Sequence, residues 1–167
     1  MKLIPATSNH KEEILACLEE ARTYFKKANI PQWQNPNYPC MFDVENDILN
    51  ENAYVVIQQD HVVACAAILV EDDPNYQVIE GEWICNGTYG VIHRIAVLSE
   101  MKGKEIASYF FQYAKMLAKQ AGCMSLRIDT HEQNHAMRRW IEKCGFQYCG
   151  IIHVEDGTPR MAFEFKL

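Results

Sequence analysis

The chain has 167 residues, a net charge of −6, 49% apolar residues and 23% charged ones. That is enough for one domain over residues 1–167 with a real core, and the composition is that of a soluble globular protein. The acidic balance argues against nucleic acid, which needs a basic face, and no apolar run approaches the roughly 20 residues of a membrane helix. The opening MKLIPATSNHKEE turns polar at once, so no export signal is read. Seven cysteines without a Cys-x-x-Cys pair read as reduced thiols of a cytoplasmic protein.

Met1 to Pro5 reads as a first strand. Thr7, Ser8 and Asn9 offer capping side chains, and Ile14, Leu15, Leu18, Ala21 and Phe25 follow at helical spacing. Ile30 to Cys40 is irregular, broken by Pro31, Pro36 and Pro39, and Asp43 to Asn50 is a short helix. Ala53 to Gln58 and Val62 to Val70 read as two strands joined near Asp60, and Glu71 to Asn75 as a turn. Tyr76 to Ile84 reads as another strand and Val91 to Val97 as the central one. A helix over Gly103 to Gln120 presents Ile106, Tyr109, Phe110, Tyr113, Leu117 and Ala121 on one face and stops at Gly122. Ser125 to Thr130 is a strand and Asn134 to Lys143 a helix ended by Gly145. Phe146 to Val154 and Arg160 to Phe165 form a hairpin around Asp156-Gly157. The order gives an α/β chain with a mixed sheet flanked by helices.

Val91 to Ser108 carries the chemistry. A strand, VIHRIAV, ends in a short loop, and a small, basic segment, KGKEIAS, opens a helix. The first N–H groups of a helix lack partners within it and its dipole leaves that end partly positive, so a phosphate is stabilised there when no side chain blocks it. Gly103 and Ala107 keep two approaches open, and Lys102 and Lys104 add charge.

With these residues the chain resembles the GNAT superfamily of acetyl-CoA-dependent N-acetyltransferases. The family signature, R/Q-x-x-G-x-G/A between a strand and a long helix, falls on Lys102, Gly103, Lys104, Glu105, Ile106 and Ala107. A strand followed by an Asn-led helix ending in Gly-Phe is here LRIDTHEQN and then MRRWIEKCGF, and QWQNPNYP resembles an acceptor-side loop. Two positions depart from the pattern. Glu105 stands where the signature has a glycine, and Ile141 stands where many relatives carry a tyrosine that protonates the leaving thiolate.

The resemblance implies a splayed central strand pair, with Ile95, Ala96 and Val97 pairing with pantetheine like a missing strand. The Val97 N–H would hold the thioester oxygen, the segment Lys102 to Ala107 would seat the pyrophosphate with Ser108 adding a hydroxyl, and Asn134 would bond the pantetheine arm. An amine attacking the thioester must lose a proton. His93 is the first candidate base, Glu82 the second and His131 the third, each also readable as an ordinary strand or loop residue. No acid is identified. Trp33, Tyr38, Trp83 and Tyr89 would wall the acceptor pocket, aromatic rings with a polar edge suiting recognition. A homodimer through the C-terminal hairpin follows only by analogy with such folds.

Two other classes stay open. His131-Glu132-Gln133-Asn134-His135 spells the H-E-x-x-H of zinc peptidases, with Glu155 as a downstream carboxylate. Against it, the strand runs straight into His131 and Asn134 reads as a cap, so the histidines would straddle a helix start; no metal is expected. The third class is a degenerate, non-catalytic acyl-CoA-binding domain, motivated by Glu105 and Ile141.

Overall fold

A computed structural model describes all of Met1–Leu167. Eight strands form one mixed sheet flanked by four helices. The strands are β1 (Lys2–Pro5), β2 (Ala53–Gln58), β3 (His61–Leu69), β4 (Glu80–Gly81), β5 (Tyr89–Val97), β6 (Ser125–Thr130), β7 (Gln147–His153) and β8 (Pro159–Lys166). The helices are α1 (Lys11–Lys27), α2 (Met41–Leu49), α3 (Ile106–Gln120) and α4 (His135–Lys143). The sheet order is β1-β2-β3-β5-β6-β8-β7-β4. β5 and β6 are parallel, with Tyr89 to Val91 opposite Ser125 to Arg127, whereas β6 pairs antiparallel with β8 along its whole length.

The chain gathers into two compact units, Met1–Ile68 with His93–Phe110, and Leu69–Ile92 with Phe111–Leu167. In the first, Ile14, Cys17, Leu18 and Phe25 of α1 recur at three- and four-residue spacing and bury one face. They pack with Val44 of α2, Val55, Val62, Cys65 and Ala96 of the strands, and Ile30 and Trp33 of the following loop. Glu13 accepts the Val62 N–H at 2.8 Å, tying α1 to β3. Thr7 caps a short 3-10 turn, Ser8–His10, that leads into α1.

In the second unit Tyr76, Tyr89, Val91, Ile152 and Ala162 form a core, and Phe111, Phe146 and Phe165 meet with ring centroids 5.2–5.6 Å apart. Its polar centre is Glu164, fully buried. Glu164 accepts from Arg127 Nε at 3.0 Å, Ser125 Oγ at 2.5 Å and the backbone N–H groups of Ile84 and Cys85 at 2.5 and 3.1 Å. The Arg127 guanidinium lies between the rings of Trp83 and Tyr89, at 4.0 and 3.8 Å from their centroids.

Two expected elements differ. Tyr76 to Ile84 is not a strand. Pro74–Tyr76 is a 3-10 turn capped by Asp73, and only Glu80–Gly81 pairs, with β7. Side chains hold the segment instead: Tyr76 Oη donates to Asp129 at 2.7 Å and Trp83 Nε1 donates to the Tyr76 carbonyl at 3.0 Å. α3 begins at Ile106, not Gly103, because Gly103 and Glu105 have φ of 81° and 56°, which a helix cannot contain. Tyr109 lies on its exposed side, and Phe110, Phe111, Ala114 and Ala118 are buried.

Candidate functional site

Of the expected donor residues, all but Asn134 lie in the first unit. β5 runs to Val97, a 3-10 turn follows at Ser99–Met101, and α3 opens at Ile106. Two anchors fix this loop. The Glu20 carboxylate of α1 accepts the Ser99 N–H at 2.6 Å, a bond that holds the Glu20 carboxyl below its ordinary value. The Lys102 ammonium sits 3.8 Å from the centre of the Tyr24 ring. Lys104 Nζ rests against Met101 Sδ at 3.4 Å.

The loop is open where an anion would approach. Gly103 is exposed, and a Cβ built on it would meet no atom within 4 Å. Geometry denies the first α3 amides, including those of Ile106 and Ala107, any carbonyl one turn back within the helix. Ser108 N–H already donates to the Glu105 carbonyl at 2.9 Å.

Glu105 keeps the conformation of the glycine it replaces. Its φ of 56° is left-handed, which costs a side-chain-bearing residue about 1 kcal/mol or more, and its side chain is exposed rather than folded into the core. Replacing Glu105 by Gly should therefore raise stability by about 1 kcal/mol, or about 2–4 °C in Tm. If an anion binds at this loop, the same change should tighten acetyl-CoA binding severalfold by removing a nearby carboxylate; thermal melts and calorimetry of the variant check both.

On β5, Ala96 packs in the core, and Arg94 has a φ of 51°. A left-handed residue interrupts the simple alternation of faces along a strand, so placing His93 on the face of Ile95 and Val97 by parity does not hold. His93 lies near enough to Asp47 of α2 for its charge to act on that carboxyl. Asp47 is buried and grips Arg94 through both oxygens, Nε at 2.7 Å and Nη2 at 2.5 Å. Burial pushes the Asp47 carboxyl up, against the pull of Arg94. Arg94 Nη1 also donates to Tyr38 Oη at 3.1 Å. Beside Asp47 and Arg94 is a cavity of about 10 Å³, lined otherwise by residues such as Ile14, Leu18 and Val44 and large enough for one water.

Of the expected acceptor walls, Tyr38 belongs to this cluster. Trp33 is 9% exposed and packs edge-on against Phe25 at 5.4 Å, a core residue rather than a surface one. Trp83 and Tyr89 are in the second unit, where they flank Arg127, and Tyr89 Oη accepts the Asp73 N–H at 3.0 Å. Glu82 is exposed there, its backbone N–H bonded to the Cys149 carbonyl at 3.0 Å.

Asn134, also in the second unit, caps α4 by accepting the Met137 N–H at 3.2 Å. His131 precedes the cap and His135 is the first residue of α4, so the two histidines of H-E-x-x-H do not share a helix face. His131 Nδ1 accepts the Gln133 N–H at 3.2 Å, and Arg138 Nη1 donates back to the Glu132 carbonyl at 2.9 Å. No group of three His, Cys, Asp or Glu residues is arranged to hold a metal ion, and none of the seven cysteines is in a disulfide.

Burial, helped by the charge of Arg160, holds the His131 imidazole below its ordinary value of 6.5. The folded state then binds fewer protons than the unfolded one between the two values, so stability rises with pH there. Melting temperature should fall as pH drops below about 6.5 toward the folded value, and His131→Gln should flatten that part of the profile.

Asp47 and Arg94 were missed by pattern reading. The available signal was an aspartate three residues after Val44, on the face of α2 that is otherwise buried.

Comparison with known proteins places the family and the fold. Residues 18–146 match the acetyltransferase (GNAT) family. An acetyltransferase of the GNAT family from Streptococcus agalactiae is 32% identical, with a TM-score of 0.87 over 99% of this chain and 95% of that one. The PaiA N-acetyltransferase of Thermoplasma acidophilum, solved with coenzyme A, has a TM-score of 0.72 over 99% and 98% of the two chains; at 14% identity it speaks for the fold alone. Glucosamine 6-phosphate N-acetyltransferase 1 of Dictyostelium discoideum is 28% identical over 98 residues, 58% of this chain and 55% of that protein, so the match spans about half the relative's length. The chain belongs to the acetyltransferase (GNAT) family.

Proposed function

We infer that the protein transfers the acetyl group of acetyl-CoA to a primary amine of a small molecule or peptide. The observation that carries this is the loop from Lys102 to Glu105 ahead of α3, left-handed at Gly103 and Glu105 and open at Gly103, which leads into the helix end whose first amides lack intrahelical carbonyl partners. The pyrophosphate sits on that loop, with Lys102 and Lys104 within reach of it by side-chain rotation and the Ser108 hydroxyl at its edge. The pantetheine arm runs along Ile95, Ala96 and Val97, and the Val97 N–H steadies the thioester oxygen as it gains charge.

The amine attacks the thioester carbon, its proton passes to a base, and the CoA thiolate leaves. His93, on β5 beside Asp47, is the base; Tyr38, 36% exposed, borders the acceptor's entry. Ile141 is fully buried, so no phenol stands at that position to protonate the thiolate. A CoA thiolate is stable enough to leave without one.

Calorimetry with acetyl-CoA, followed by a free-thiol assay across amine acceptors, tests the reading. Micromolar binding and amine-dependent thiol release are expected. Absent thiol release with every amine, despite binding, would leave a non-catalytic acyl-CoA-binding domain. His93→Ala should remove the acidic limb of the pH–rate profile, where protonation of the base slows the reaction; an unchanged profile ends that assignment.

A further inference from the structure

The grip of Asp47 on Arg94 needs an explanation beyond packing. A buried, bidentate ion pair costs much of its attraction in lost hydration, so net stability alone does not account for it. Its visible consequence is local. Arg94 is a long side chain held left-handed, φ 51°, within a nine-residue strand, one residue before the Ile95–Val97 segment. Its guanidinium is fixed from two directions, by both oxygens of Asp47 and by Tyr38 Oη. Asp47 in turn cannot swing away: it is 7% exposed, three residues from Val44 on the core-facing side of α2.

We propose that Asp47 is a positioning residue for the acyl donor: by gripping Arg94 it holds the kink in β5 that sets the direction of the Ile95–Val97 backbone. The proposal rests on the reading of Ile95–Val97 as the donor-binding edge. Asp47 touches neither donor nor acceptor. It acts through the backbone conformation of Arg94, and α2 thereby becomes a support of the donor site.

The test uses the full chain and three variants, Asp47→Asn, Arg94→Gly and the double variant, with CoA as the probe. Asp47→Asn keeps the shape and loses the charge. It should weaken CoA binding about tenfold and speed amide exchange at Ile95, Ala96 and Val97 by NMR, with an unchanged circular dichroism spectrum. Glycine adopts the left-handed conformation without a side-chain grip. The double variant should therefore bind CoA within about threefold of the parent and regain slow exchange at Ile95, Ala96 and Val97; its melting temperature, read alongside, tells this from a rescue of stability alone.

CoA binding by Asp47→Asn within twofold of the parent overturns the proposal, as does a double variant no tighter than Asp47→Asn. A rise in acceptor KM alone, with donor binding unchanged, also overturns it and assigns the cluster to acceptor recognition. If the parent itself fails to bind CoA, the donor-edge reading fails, and the exchange rates still decide the strut: unchanged rates in Asp47→Asn overturn it. Should Asp47→Asn not fold, Arg94→Lys, which keeps the charge and loses the paired grip, is read the same way.

Discussion

Replacing Glu164 by Ala is expected to lower the melting temperature by roughly 10–15 °C, from about 3–5 kcal/mol of lost stability. Glu164 has no exposed surface and collects four donors, one of them the buried Arg127 guanidinium. Its removal leaves a positive charge, a hydroxyl and two backbone N–H groups without their acceptor. Arg127 Nη2 keeps one bond, to the Cys85 carbonyl at 3.0 Å, and its stacking on Trp83 and Tyr89. Those contacts do not neutralise it. Glu164→Gln retains an acceptor oxygen and should lose less than half as much. Equal losses in the two variants, measured by thermal or urea unfolding, would contradict the assignment of the cost to a stranded charge.

Ala107→Asp should have the largest effect on function. A carboxylate in the first turn of α3 suits the helix dipole, so the fold should keep its stability or gain a few tenths of a kcal/mol. The same carboxylate would face the diphosphate. At about 5 Å and an effective dielectric near 20, a single pair of unit charges repels by about 3 kcal/mol, so acetyl-CoA affinity should fall by roughly 100-fold or more. Ala107→Ser, small and uncharged, should bind within a few fold of the parent. If Ala107→Asp binds acetyl-CoA as tightly as the parent does, the anion does not sit at the start of α3.

The two substitutions probe different halves of what the sequence discloses. Helices and strands with a repeating apolar pattern were legible: α1 from Ile14, Leu18 and Phe25, the β2–β3 pair, and the Asn134 cap of α4. Each follows from residues within one or two turns or a single hairpin. The segment from Tyr76 to Ile84 was not legible, because its conformation is set by a partner in β8. The Ile84 and Cys85 amides are held by Glu164, 80 and 79 residues away, and no local period reports that.

The loop ahead of α3 was legible as small residues before an amphipathic helix. Its exact start was not, because a glutamate has no left-handed preference to announce the turn at Glu105. The acceptor-side aromatics were not legible. Their polar edges suit recognition, whereas in the structure Trp33 fills the core and Trp83 and Tyr89 clamp an arginine. Composition says that a ring is present, and only packing says which face it shows. Asp47 and Arg94 are 47 positions apart, so their pairing depends on α2 reaching β5 in the first unit.

On the proposed function, the backbone between Val97 and Ala107 holds an acyl-CoA. Amide resonances followed during titration with CoA test it directly. Val97, Gly103, Ile106 and Ala107 should show the largest shifts and saturate together. Binding that leaves those four amides unmoved, or no binding at millimolar CoA, would contradict the account.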